Sequence, residues 1–338
     1  MRRVITTLAM FTAPAAHALI ISDPGEYIIN SYVDEVILDS SFRFSGLSDQ
    51  VHIRVVSGGV VAGNVGCAYG TSSCDFRLGV SGNGAVLGTA YGEGAQIDVR
   101  DSGLVRYAGT GVMRGGSVTI SDEAYIGELQ GAGSGRGGRF IINGGYVNNV
   151  PSGSASGATM VMTDGVIGSR LAYADPFSLS LSGGSILGDV LSTDGVSLTM
   201  TGGRIAGSLR SYGEVSGSIS GGIIEGWLDF STAVDGGLFD IWGGQFAEST
   251  WLMSGRHTLN LHGLDLVFDG SRLFGHLYDG TSINVSVQFE RWNGQFNVYN
   301  ASEPANVTEP ATFGLFCVGL AGLLTTRKRQ SAQGRIAG

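Results

Sequence analysis

Three near copies follow one another at a nineteen-residue step: Phe177-Ser-Leu-Ser-Leu-Ser-Gly-Gly184, Val196-Ser-Leu-Thr-Met-Thr-Gly-Gly203 and Val215-Ser-Gly-Ser-Ile-Ser-Gly-Gly222. Each alternates apolar and hydroxyl residues and ends in paired glycines. On a strand, that alternation turns Leu179 and Leu181 one way and Ser178, Ser180 and Ser182 the other. Weaker copies run through Ser117–Asp122, Phe140–Gly145, Phe239–Gly244 and Thr258–Gly263. Their turns fall at 58, 82, 101, 122, 144, 164, 183, 202, 221, 243 and 263. A unit of roughly twenty residues with no helical period cannot bury its apolar face alone, so it must stack on copies of itself. A second apolar stretch follows each turn, as at Ile186-Leu187-Gly188, Ile205-Ala206-Gly207 and Ile223–Gly226.

The expected fold is all-β: a parallel β-helix (β-solenoid) of about eleven coils of ~20 residues, a rod of roughly 50 Å. Leu179, Leu181, Leu198, Met200, Ile205, Ile219 and Ile224 are expected inside it. A β-sandwich would need hairpins of irregular length, against which the constant step argues. Glycine, 57 of 338 residues, suits the corners, where it supplies positive φ without a Cβ penalty. Solenoid ends expose strand edges and need caps. Residues 19–50 read as the first cap and 51–263 as the repeats. Residues 264–300 read as an antiparallel C-terminal cap, with turn signals at Asp269-Gly270 and Asp279-Gly280.

The two ends of the chain differ from the body. Residues 1–18 have Arg2 and Arg3, a short apolar run and the small-x-small pattern Ala16-His17-Ala18, the form of a cleaved signal peptide. At the other end, residues 301–311 form a linker containing Glu309-Pro310. Residues 312–326 form an apolar run, and 327–338 a basic tail beginning Arg327-Lys328-Arg329. This order resembles the PEP-CTERM sorting signal of Gram-negative, exopolysaccharide-producing bacteria. The usual Val-Pro-Glu-Pro has Thr308 in place of its first Pro here, and the tail is longer. The resemblance covers about thirty residues. It implies a membrane-bound exosortase as processing partner, after signal peptidase, and says nothing of an activity for the body. Ala311–Thr326 is short for a single-pass helix of about 20 residues. The cationic cluster favours a cytoplasmic C-terminus, which makes the inner membrane a transient anchor and the cell surface or exterior the destination.

Between these ends, residues 19–309 carry 14 basic and 29 acidic side chains, a net −15. Such a body is unsuited to nucleic acid, which needs Lys and Arg to replace phosphate counterions. Lys328 is the only lysine, so the body holds no Schiff-base or P-loop lysine.

Candidate chemistry is sparse, and neither a cofactor nor a metal site is expected. Cys67 and Cys74 lie in the longest step of the repeat, and export would allow them to form a disulfide, with Cys317 left unpaired. His257 and His262 are an odd number apart, which puts them on opposite faces of a strand. Asp101, Asp122 and Asp164 share a turn column; a carboxylate pair there could bind Ca²⁺ or act on a sugar, but Asp is also an ordinary turn residue. All four tryptophans lie in the C-terminal half. Most are expected to pack against the cap. Alternation turns Trp242 outward beside Asp240, making it the candidate glycan contact. The hydroxyls at 159–163, 178–182, 197–201 and 216–220 should form a flat grid.

These features point to an exported, non-enzymatic component of the cell surface or extracellular matrix, structural or adhesive and linked to exopolysaccharide or biofilm. A polysaccharide lyase or hydrolase is the alternative reading, and an ice-binding solenoid a more distant one.

Overall fold

The computed structural model describes residues 4–6, 18–38, 51–67, 76–92, 94–110, 116–131, 138–153, 158–173, 176–230, 235–247, 250–292 and 294–301. Every regular element among them is a β-strand, and the body is a parallel β-solenoid. Three inward ladders define its sides. The first runs Ile53, Leu78, Ile97, Val118, Phe140, Met160, Leu179, Leu198, each paired in register with the next. The second runs Val105, Ile126, Val147, Ile167, Ile186, Ile205, Ile224. The third runs Leu171, Val190, Leu209, Leu228. All of these side chains are buried, as are Leu181, Met200 and Ile219. Burying each such side chain contributes about 1.5–3 kcal/mol. Repetition along the rod makes one continuous core.

The corners follow the turn column read from the sequence. Positive φ occurs at Gly58, Gly82, Asp101, Asp122 and Gly144, as expected, and then at Gly165, Gly184, Gly203, Gly222 and Gly244. From 164 onward the left-handed residue is one position later than read: Gly165 follows Asp164, and thereafter the second glycine of each pair turns. At 263 the column ends, since Gly263 has no positive φ. Glycine also takes a place within a ladder. Gly217 (φ 121°) continues the first inward ladder between Leu198 and Phe239, and a Cβ there would lie 1.9 Å from the Leu198 carbonyl oxygen.

Both ends depart from the simple picture of caps. Residues 18–38 already follow the solenoid register: Gly25–Ile29 pairs parallel with Val51–Val55, and Glu35–Leu38 with Val65–Cys67. Tyr27 and Ile29, in the segment expected to be a cap, supply buried inward side chains. Val4–Thr6 adds a parallel strand to Gly25–Ile29. At the far end, Val267–Phe268, Arg272–His276 and Ser282–Trp292 form the antiparallel excursion that was expected, with Gly270 and Gly280 turning at positive φ. Ser282–Trp292 then changes role. Its second half pairs parallel with Thr250–Gly263, and Gln295–Asn300 adds another parallel strand to that same segment. The solenoid thus resumes beyond its own excursion.

Candidate functional site

The outer face of the first wall is built from the residues that alternate with the inward ladder. Thr159, Ser178, Ser197 and Ser216 stand in one register column, and Val161, Ser180, Thr199 and Ser218 in the next. The hydroxyl grid therefore exists, with an apolar residue at Val161.

Towards the N-terminus the same face becomes charged. A shallow groove of about 290 Å³ is lined by His52, Arg54, Arg77, Asp98 and Arg100, among others. Burial holds the Asp98 carboxyl above its usual range; Arg100 opposes this, and Asp122 and Asp101 reinforce it.

Towards the C-terminus the face becomes aromatic. The column of Ser218 continues as Asp240, Asn260 and Asn297. Beside it rise Trp242, His262 and Tyr299. The Trp242 and His262 rings are stacked with centroids 3.5 Å apart and planes 2° off parallel. Tyr299 stacks on His262 at 5.3 Å and 17°. Tyr278, on the antiparallel excursion, meets Trp242 edge-on at 6.2 Å and 88°. The edge-on Tyr278 contact suits the quadrupoles of aromatic rings, whereas Trp242 and His262 lie directly face to face. The ladder remains open to solvent, with Trp242 40%, Tyr299 50% and Tyr278 59% exposed. His262 covers one face of the indole, and Trp242 keeps 40% of its surface exposed.

A polar chain runs along the foot of this ladder. Asn297 Nδ2 donates to Asn260 Oδ1 at 2.9 Å, and Asn260 Nδ2 donates to Asp240 Oδ1 at 3.0 Å. His262 Nε2 lies 3.0 Å from the same Asp240 oxygen. Tyr278 is held in place through its neighbour: Asp279 Oδ2 accepts the Gly244 N–H at 2.8 Å, and Oδ1 accepts the Thr281 N–H at 2.9 Å. Burial pushes the Asp279 carboxyl up, but the Thr281 and Gly244 N–H groups prevail and hold it below its usual range. A side chain at Gly243 would collide with this carboxylate, since its Cβ would lie 2.3 Å from Asp279 Oδ2.

Other sequence candidates are placed as follows. Asp101 and Asp122 are turn residues with φ near +57°, in the left-handed region that Asp tolerates better than most side chains. Their carboxylates accept turn N–H groups: Gly82 N donates to Asp101 Oδ2 at 3.3 Å and Asp101 N to Asp122 Oδ2 at 3.2 Å. Among the described residues no three metal-ligating side chains converge. His257 is buried while His262 is on the outer face, the opposition that alternation requires. Trp251 packs inside against Phe246, whereas Trp227 is about half exposed beneath the Arg210 guanidinium. Cys74, Cys317, Glu309, Pro310, Arg327, Lys328, Arg329 and the 312–326 run lie outside the described residues, as does the side chain of Cys67. No helix among the described residues is long and apolar enough to cross a membrane.

Comparison with known families identifies the tail. A family profile described as the PEP-CTERM protein-sorting motif matches residues 306–330. The chain carries a PEP-CTERM sorting signal. This makes it an exported protein that passes through a membrane-anchored intermediate and is processed by an exosortase. The chain matches no curated protein and no solved structure.

Proposed function

We propose that this PEP-CTERM protein is a non-enzymatic adhesive rod of the cell surface or extracellular matrix, holding extracellular polysaccharide through the aromatic end of its first wall. The observation that carries this reading is the Trp242–His262–Tyr299 ladder beside the Asp240–Asn260–Asn297 chain. A sugar offers an apolar C–H face and a ring of hydroxyls. The exposed part of the Trp242 indole suits the first, and the carboxylate and amides suit the second. The neighbouring Ser and Thr columns extend the polar floor along the rod, in line with a polymer. The lyase reading gains little from Asp101 and Asp122, each of which uses its Oδ2 to accept a turn N–H group.

Affinity electrophoresis through gels containing soluble polysaccharides tests the reading. The full chain should be retarded by at least one polymer, and Trp242→Ala should weaken that retardation about tenfold at an unchanged melting temperature. Equal mobility of the two proteins in every gel refutes it. The tail is tested separately. Glu309→Ala with Pro310→Ala should leave an uncut form in the membrane fraction, and release of normally sized protein would show that the cut lies elsewhere.

A further inference from the structure

We propose a second sugar-binding groove, on the second wall of the coil, which makes the rod a bivalent cross-linker of an uncharged polysaccharide. The cross-linking part rests on the glycan reading of Trp242; the groove itself does not. The groove has a volume of about 490 Å³ and is lined by Arg106, Tyr125, Glu128 and Asn149 over a floor at Gly127. It crosses successive coils, because Leu104, Tyr125 and Tyr146 share one register column. Its floor is bare backbone: a Cβ on Gly127 would lie 2.6 Å from the Arg106 carbonyl oxygen. Tyr146 stacks behind Tyr125 at 5.9 Å with planes 5° off parallel, and both rings stay more than a third exposed.

The polar groups are mixed in sign and type. The Arg106 guanidinium lies 5.1 Å over the Tyr107 ring and forms no ion pair among the described residues. Asn149 Nδ2 donates to Glu128 Oε2 at 3.4 Å. One cation, one carboxylate and amides beside aromatic edges balance donors against acceptors at no net charge. That balance suits vicinal hydroxyls on an uncharged sugar better than a polyanion, and the acidic body also repels polyanions. Because the groove crosses successive coils, we take it to receive an internal stretch of polymer. Six register steps separate the coil of Ile120, which precedes Tyr125, from that of Ile241, which precedes Trp242. At ~4.8 Å per step the two sites stand about 29 Å apart along a rigid body. Two sites on one rod raise apparent affinity for a polymer on the order of 10²-fold or more over a single site, without any new contact.

The test uses the full chain in a detergent without a sugar headgroup. The probes are cello-oligosaccharides, soluble β-1,3-glucan and, as the charged control, alginate. Tyr125→Ala with Tyr146→Ala should weaken oligosaccharide binding at one of two sites about tenfold and abolish cross-linking of a neutral glucan, read by light scattering. Arg106→Ala, an exposed change remote from the core, should do the same at an unchanged melting temperature. Trp242→Ala should also abolish cross-linking while leaving one site filled. If both groove variants bind and cross-link as the parent does, the groove is not a sugar site. If they lose binding while Trp242→Ala is silent, the groove stands and the Trp242 reading falls. Retention of alginate in preference to both neutral glucans would overturn the uncharged ligand.

Discussion

Two stretches of one face are built on the same interior and present different exteriors. From Thr159 to Ser220 the outer columns carry small hydroxyl residues at a nineteen-residue step, Val161 apart, and from Gly183 onward the corners are paired glycines. From Phe239 to Tyr299 the inward side chains remain mostly apolar, as Phe239, Ile241, Leu259 and Leu261 show, with His257 the buried polar exception among the described residues of this stretch. The outer columns, however, become carboxylate, amide and aromatic, and an antiparallel excursion is inserted between two coils. A solenoid separates the two tasks. Each coil must keep its inward ladder to bury its neighbours, while alternate positions are free of that demand. Under the proposed reading, the regular stretch would act as spacer and the Trp242 end would hold polysaccharide.

The largest effect should come from breaking the shared interior. Leu198→Asp places a charge in a core position with no accessible surface, which costs several kcal/mol and should abolish the cooperative melt followed by circular dichroism. A retained parental transition would defeat the inward assignment. Next comes Gly217→Ala, where the Cβ would collide with the Leu198 carbonyl at a φ that L residues avoid. It should cost about 3 kcal/mol, while Ser218→Ala on the outer face of the same strand should change stability by less than about 0.5 kcal/mol. Equal losses for the two would erase the distinction between the faces.

The smallest expected effect concerns acid. Asp279 has a folded pKa below its unfolded one, so its contribution is full above the unfolded value and is lost as pH falls through the folded value. The Tyr278 wall should therefore persist at pH 5 and loosen only below about pH 4, read as a change in Trp242 fluorescence. Loosening between pH 7 and 5 would point to another group.

How much of this was legible depends on whether the period survived. The turn column was readable because Gly and Asp mark positive φ at a steady step. Even the break of glycine by Asp at 101 and 122 fitted, since both residue types tolerate that backbone. Trp242 was placed outward by alternation alone. Its partners were harder to find. His262 follows it by twenty residues, in step, but Tyr299 follows His262 by thirty-seven, because residues 264–285 leave the coil and return. A count of residues cannot show that the excursion closes so as to set a third ring on the ladder. Tyr278 reaches Trp242 through the Asp279–Gly244 hydrogen bond, a contact thirty-five residues long that no local pattern encodes. The early coils were missed for a related reason, since residues 19–50 lack the paired-glycine ending by which the later copies were recognised.

The claim that recognition resides at the aromatic end is tested most directly in cells that export the protein and make extracellular polysaccharide. Matrix and free medium are separated, and the protein in each is quantified for the parent and for Trp242→Ala. The parent should be held mainly in the matrix, and the variant should shift into the medium at equal total export. Equal partition of the two would contradict the account.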